Sequence, residues 1–132
     1  MCVAYWEEMM PMVKTWIKSA RHAISGFRYA FRHERNFRIE CLFAVAVVVF
    51  MLLFPLALWE RVILLVMIGW VLAAELVNTI VERIVDMLKP RLHPYARVIK
   101  DIMAAAVLIS SVIALVVGIM ILYPYIKGFL FG

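Results

Sequence analysis

Four polar side chains recur at helical spacing within an otherwise apolar part of this chain. They are Glu75, Asn78, Glu82 and Asp86, separated by three, four and four residues. At about 100° per residue they fall within about 80° of arc, which places them on one face of a helix. A carboxylate can accept a proton from a hydroxyl group, and carboxylates can hold a divalent cation against phosphate oxygens. The pattern therefore predicts a polar stripe suited to phosphate chemistry.

The stripe begins inside a segment that the composition assigns to a membrane. Of 132 residues, 67% are hydrophobic, whereas soluble domains are usually about 45–50% apolar. A charged residue at the centre of a membrane helix costs about 2.5–3.5 kcal/mol, so the stripe must face a cavity, a polar partner or a ligand. Glu75 is the deepest candidate base. Its structural alternative is a protonated glutamate hydrogen-bonded to a neighbouring helix.

The elements that must position these residues are helices. Apolar runs predict membrane helices over 41–59, 62–88 and 102–125, each near the length that crosses a bilayer core. Residues 12–32 alternate apolar and basic side chains at helical spacing, which predicts an amphipathic helix in the membrane interface. We expect an all-α integral membrane protein with one domain over 1–132, built from this interfacial helix and three transmembrane helices.

The basic residues alternate between the two sides of the predicted membrane. Lys and Arg number seven before the first span, one in the first connection, five in the second and one in the C-terminal tail. Because positive residues are retained in the cytoplasm, this alternation places the N-terminus and the second connection there. The net charge of +5 thus indicates membrane topology, and no nucleic-acid partner is expected.

Further charged groups lie on the predicted cytoplasmic side. Glu34 ends the interfacial helix, and Lys100 and Asp101 precede the third span. The sequence contains neither the GxxxxGK[ST] nor the GxGxxG phosphate loop, and neither HExxH nor GxSxG. Nucleotide chemistry at this surface would therefore need a site of another kind.

Three motifs resemble signatures of the prokaryotic diacylglycerol kinase and undecaprenol kinase family. Residues 75–86, ELVNTIVERIVD, resemble E-[IL]-[LV]-N-[ST]-x-x-E-x-x-[VI]-D. Residues 96–107, ARVIKDIMAAAV, are similar to A-K-x-x-K-D-x-x-[AS]-[AG]-A-V, and residues 34–38, ERNFR, to E-R-N-F-[RK]. The motifs follow the family's order and spacing, and the resemblance covers about residues 14–125.

The resemblance implies a homotrimeric kinase of the bacterial inner membrane, which phosphorylates the hydroxyl of a membrane lipid alcohol with ATP. Glu75 would be the general base, and Glu34 and Glu82 would hold Mg²⁺. Contacts with ATP are implied for Glu34, Glu82, Asp86, Lys100 and Asp101. Contacts with the acceptor are expected for Glu75, Asn78 and Arg28. The ERNF motif and the pair His93-Pro94 favour undecaprenol, with diacylglycerol close behind.

Two other functions compete with a kinase. A small proton- or cation-conducting subunit could use Glu75 and Asn78, but the outer halves of all three spans lack the polar residues that a path needs. A scaffold that binds anionic lipid through residues 14–38 would explain the basic helix, but not Glu75.

Overall fold

The fold is described by a computed structural model that covers residues 2–88 and 93–131, with side chains from 13 to 88 and from 95 to 131. These residues form α1 (Cys2–His33), α2 (Arg35–Leu53), α3 (Leu58–Leu88) and α4 (His93–Phe131). No strand occurs in the described ranges, so the predicted all-α class is confirmed. The helices divide into two units, residues 1–35 and 36–132. The single domain over 1–132 stays a prediction.

Three helices are long and apolar enough to cross a membrane. They are α2, α3 and the part of α4 from Tyr95 to Phe131, and only 11–22% of their most apolar windows is buried within the chain. In water such exposure would be unfavourable, but lipid chains solvate apolar side chains in a bilayer. The three predicted membrane helices are confirmed by length and composition.

The first span has different bounds from the predicted 41–59. α2 begins at Arg35 and ends at Leu53, two residues before Pro55. Proline has no N–H group, and its ring disfavours helical conformation in the preceding residue. The chain turns through residues 54–57, where the Leu56 N–H donates to the Phe54 carbonyl. Trp59 therefore lies in α3 and does not end the first span.

The second span begins at Leu58 and not at the predicted Val62. Glu60, which hydropathy excludes from the span, lies in its first turn. The Glu60 carboxylate oxygen Oε2 accepts a hydrogen bond of 2.7 Å from the Ala57 N–H, which satisfies one of the free donors at a helix start. The Tyr125 hydroxyl donates to the same oxygen at 2.5 Å. These contacts join the start of α3 to the C-terminal part of α4, and we call Ala57, Glu60 and Tyr125 the turn cluster.

The third span is longer than the predicted 102–125. α4 begins at His93 and continues to Phe131 with Pro124 inside it. Its first turns carry Arg97, Lys100 and Asp101, which hydropathy placed in the connection before the span. At about 1.5 Å per residue, α4 is nearly twice as long as a hydrocarbon core is thick. Charged side chains therefore extend a membrane helix beyond the segment that its apolar run predicts.

The buried apolar core of the second unit lies beside the turn between α2 and α3. Met51, Leu56, Leu64 and Ile121 form it, with Phe50 and Phe54 packed at its edge. α3 and α4 make the main helix pair. Halfway along this pair, the Trp70 indole N–H donates to the Ser110 hydroxyl at 3.1 Å, and that hydroxyl donates to the Ala106 carbonyl. Packing and hydrogen bonds thus fix α4 against α3 over much of its length.

The first unit consists of α1, which is longer than the predicted 12–32. Within the part whose side chains are described, large apolar residues such as Trp16, Ile24 and Phe27 are exposed. They share one face with the spacing of an amphipathic helix, as the sequence predicts. Placement of this face in a membrane interface stays a prediction.

Candidate active site

The predicted stripe lies on one continuous helix, α3, and its exposure increases toward the helix end. Glu75 is 2% exposed and Asn78 9%. Glu82 is half-buried, and the side chain of Asp86 is 46% exposed. The stripe therefore leads from the protein interior to the surface, as expected for a site whose deepest group meets a lipid hydroxyl and whose outer groups meet phosphate.

Hydrogen bonds along α3 connect the members of the stripe. The Asn78 amide donates to the Glu82 carboxylate at 3.3 Å, while its Oδ1 atom is buried and has no hydrogen-bond partner within the described ranges. The buried Thr79 hydroxyl donates to the Glu75 carbonyl at 3.0 Å, bonding back to the turn that carries the carboxylate. A buried polar atom without a partner is unusual in proteins, so Asn78 Oδ1 is a candidate ligand atom.

α4 contributes a cation to the exposed end of the stripe. The Lys100 ammonium lies 2.7 Å from Asp86 Oδ1, and the two side chains are 34% and 46% exposed. Asp101 is exposed one residue later. The sequence predicted nucleotide contacts for all three residues but did not pair Asp86 with Lys100. The structure brings these two together because α3 and α4 pack side by side.

Sequence reasoning missed Glu40. This residue lies in the second turn of α2, half-buried, and its Oε2 atom has no hydrogen-bond partner in the part of the chain that the structure describes. Its carboxylate interacts electrostatically with that of Glu75. The only sequence signal is a carboxylate directly before an apolar run, one residue outside the predicted first span of 41–59.

An apolar groove of about 470 Å³ lies among α2, α3 and α4. Its α3 wall includes Val71 and Leu72, four and three residues before Glu75, and Glu40 lies at its α2 wall. Residues at this spacing share a helix face with Glu75. The groove therefore begins near the buried end of the polar stripe and continues along the apolar residues that precede Glu75 in α3.

Two predicted site residues belong to the first unit. Arg28 is exposed on α1, and Glu34 is a half-buried residue between α1 and α2 whose N–H donates to the Ala30 carbonyl at 2.8 Å. Their approach to the stripe stays a prediction.

The described residues contain no cluster of three His, Cys, Asp or Glu side chains that could hold a metal ion. Mg²⁺ usually binds through one or two protein carboxylates and completes its shell with water and substrate phosphates. The oxygen donors of Glu82 and Asn78 Oδ1 are of the type that Mg²⁺ prefers. The donor chemistry of the stripe therefore fits a magnesium ion that arrives with a nucleotide.

Comparison with known proteins gives one family. The model for prokaryotic diacylglycerol kinase matches residues 21–122, which include every predicted site residue. This finding confirms the resemblance that the three motifs carry.

Curated relatives have the same two activities in their names. An undecaprenol kinase of Bacillus subtilis is 36% identical over 83% of this chain and 89% of its own length. A diacylglycerol kinase of Synechocystis is also 36% identical, over 80% of this chain and 61% of its own length. A diacylglycerol kinase of Escherichia coli is 28% identical over 83% and 89%. None of these names supports the alternative of a proton- or cation-conducting subunit.

Proposed function

This chain belongs to the prokaryotic diacylglycerol kinase family and is a lipid kinase, and on that premise we propose that it transfers the γ-phosphate of ATP to the hydroxyl of undecaprenol, with diacylglycerol as the second candidate acceptor. The observation that carries the proposal is the graded stripe on α3. It joins a carboxylate that is 2% exposed to an ion pair at the surface. A membrane acceptor and a water-soluble nucleotide can meet along such a surface.

Glu75 is proposed as the general base. It would take the proton from the acceptor hydroxyl as that oxygen attacks the γ-phosphorus of ATP. The bond between the γ-phosphorus and the bridging oxygen then breaks, and ADP leaves with the electron pair. General base catalysis typically contributes about 10²–10⁴ in rate. Asn78 would orient the acceptor or the base, and Arg28 would contact the acceptor from α1.

The outer members of the stripe are proposed as the nucleotide site. Glu82, together with Glu34 of the first unit, would hold Mg²⁺, which when bound neutralises negative charge on the phosphates. Asp86, Lys100 and Asp101 would contact ATP. Because Lys100 already lies 2.7 Å from Asp86, its ammonium is held in place before a phosphate arrives.

The groove supports a lipid acceptor for this site. A hydrocarbon chain lying along Val71 and Leu72 would bring its hydroxyl end toward Glu40 and Glu75. A groove with apolar walls accommodates many kinds of chain. The preference for undecaprenol therefore rests on the ERNF motif, the His93-Pro94 pair and the name of the Bacillus subtilis relative.

Purified protein with ATP and Mg²⁺ tests the function directly. Undecaprenol and diacylglycerol would be offered separately in the same detergent, and the phosphorylated lipid measured. We expect product with both and a higher kcat/KM for undecaprenol. Lack of turnover with either acceptor would contradict the kinase, and a higher value for diacylglycerol would contradict only the acceptor preference.

We also propose a homotrimer in the inner membrane with a cytoplasmic N-terminus. The charge alternation supports this topology. In a chain without Cys2 and Cys41, Gly128→Cys should react with an impermeant thiol reagent added outside intact cells. Labelling only after lysis would contradict the topology, and a monomer or dimer in a mass measurement of the purified complex would contradict the trimer.

A further inference from the structure

The cations of α1 lie along one edge of its apolar face. Trp16, Ile17, Ile24, Phe27 and Phe31 fall within about 100° of arc and are exposed. Lys14, Lys18, Arg21, Arg28 and Arg32 fall within about 80° directly beside them, and all five are exposed. We call these five residues the cationic edge. At about 1.5 Å per residue it extends for about 27 Å along the helix.

The opposite edge of the same apolar face carries no Lys or Arg. Thr15, Ser19, Gly26 and His33 lie there. Residues 13–33 also contain no Asp or Glu, so no carboxylate on this helix segment can neutralise the row. Retention of positive charge in the cytoplasm explains the number of cations but not their restriction to one edge. Arrangement on one edge is complementary to an anionic partner that meets the helix from that side.

We propose that the cationic edge of α1 binds the headgroups of acidic phospholipids while the adjoining apolar face lies among their acyl chains. An amphipathic helix at a membrane surface has both environments next to each other, since headgroups lie immediately above the apolar region. Acidic phospholipid supplies the complementary charge at the membrane surface. The one-sided charge would roll α1 about its axis, so that the cationic edge faces the headgroups and the uncharged edge turns away. The acidic lipid is thus a partner distinct from the substrates.

The proposal predicts that α1 is held more firmly on an acidic bilayer. Attraction to an anionic leaflet is worth about fivefold in binding for each Lys or Arg, or about 25-fold for two. It weakens with salt, because the Debye length falls from about 10 Å at 0.1 M to about 3 Å at 1 M.

Hydrogen exchange of the α1 backbone amides measures this directly and needs no catalysis. The full chain would be placed in phosphatidylcholine vesicles with and without phosphatidylglycerol. For each variant the result is the ratio of exchange rates over residues 13–33 between the two vesicle types, so that changes in helix propensity cancel. The variant is Lys14→Gln/Lys18→Gln, and the matched control is Arg61→Gln/Lys127→Gln, which removes two cations outside α1.

We expect acidic lipid to slow exchange in the wild type and in the control. The lysine variant should lose about 25-fold of this slowing, and 1 M salt should remove most of it from the wild type. Equal exchange in both vesicle types would overturn the proposal. Equal losses in the variant and the control would also overturn it, since net charge and not the cationic edge would then be the cause.

Discussion

Two buried carboxylates of α3, one in its first turn and one near its middle, have different surroundings. At the start of the helix, Glu60 is 8% exposed, and one of its oxygens accepts hydrogen bonds from both Ala57 and Tyr125. Fifteen residues later Glu75 is 2% exposed, and its carboxylate interacts electrostatically with that of Glu40. Two buried atoms, Asn78 Oδ1 and Glu40 Oε2, have no hydrogen-bond partner among the described residues.

On this difference we base a structural role for Glu60 and the proposed catalytic role of Glu75. The turn cluster satisfies a buried charge with groups of the protein itself, as buried polar groups generally require. The region around Glu75 contains buried acceptor atoms that have no hydrogen-bond partner among the described residues, between an apolar groove and a surface ion pair. A buried polar atom without a partner is unusual in a folded protein, and a ligand can supply the missing partner. Burial of a carboxylate alone does not distinguish these two roles.

The largest expected effect comes from Glu75→Gln, with Glu60→Gln as the matched control on the same helix. Glutamine keeps the shape and cannot accept the proton, so turnover with ATP and lipid acceptor should fall by about 100-fold or more. Assembly and ATP binding should persist, because the substitution also removes a charge that is costly to bury. The Glu60 variant should keep its turnover per folded molecule.

Two results would contradict this prediction in different ways. Full turnover of the Glu75 variant would place the base elsewhere. Loss of assembly together with turnover would favour the structural alternative for Glu75, and Glu60 and Glu75 would then have the same kind of role.

Glu82→Gln should raise the magnesium requirement. Loss of one carboxylate ligand weakens the binding of a divalent cation that is held by few protein groups. Changes around metal sites typically cost about 10–100-fold in metal affinity. Titration of activity with Mg²⁺ at saturating ATP measures the shift, again with Glu60→Gln as the control. An unchanged titration would remove Glu82 from the metal site.

Tyr125→Phe tests the structural role of the turn cluster around Glu60. Removal of the hydroxyl leaves the buried Glu60 carboxylate without one donor, which should lower the free energy of unfolding by about 1–3 kcal/mol. Unfolding in detergent micelles measures the loss, and Tyr123→Phe is the control because Tyr123 is 60% exposed. Equal loss in both variants would show that the hydrogen bond to Glu60 has no special weight.

The smallest expected effect concerns the stability due to the Asp86–Lys100 pair. Both side chains are partly exposed, and exposed ion pairs are worth about 0.2–1 kcal/mol. A double-mutant cycle with Asp86→Asn and Lys100→Met should therefore show coupling of that size in unfolding. The KM for ATP of each single variant should also be measured. If the rise in KM, converted to a free energy, exceeds this coupling energy, the two side chains contribute to nucleotide binding. An unchanged KM would make the pair a surface contact only.

The sequence by itself determined the features that depend on one helix at a time. Apolar runs predicted three spans, but the first ends before Pro55 and the second begins early enough to include Glu60. Hydropathy misses such ends because a proline or a helix cap acts at a single residue, whereas hydropathy is an average over many. The common face of Glu75, Asn78, Glu82 and Asp86 follows from the helical repeat alone. Three motifs were enough to indicate the family, since each lies within a single segment.

Contacts between helices were decided only by the tertiary structure. The pairs Asp86–Lys100, Glu60–Tyr125 and Trp70–Ser110 are separated by 14, 65 and 40 residues, and no periodicity relates their positions. Such pairs depend on how α3 and α4 pack, and in lipid that choice is set by close packing and interhelical hydrogen bonds, since an apolar surface is equally satisfied by lipid chains. For the same reason the sequence could not show the electrostatic interaction between Glu40 and Glu75.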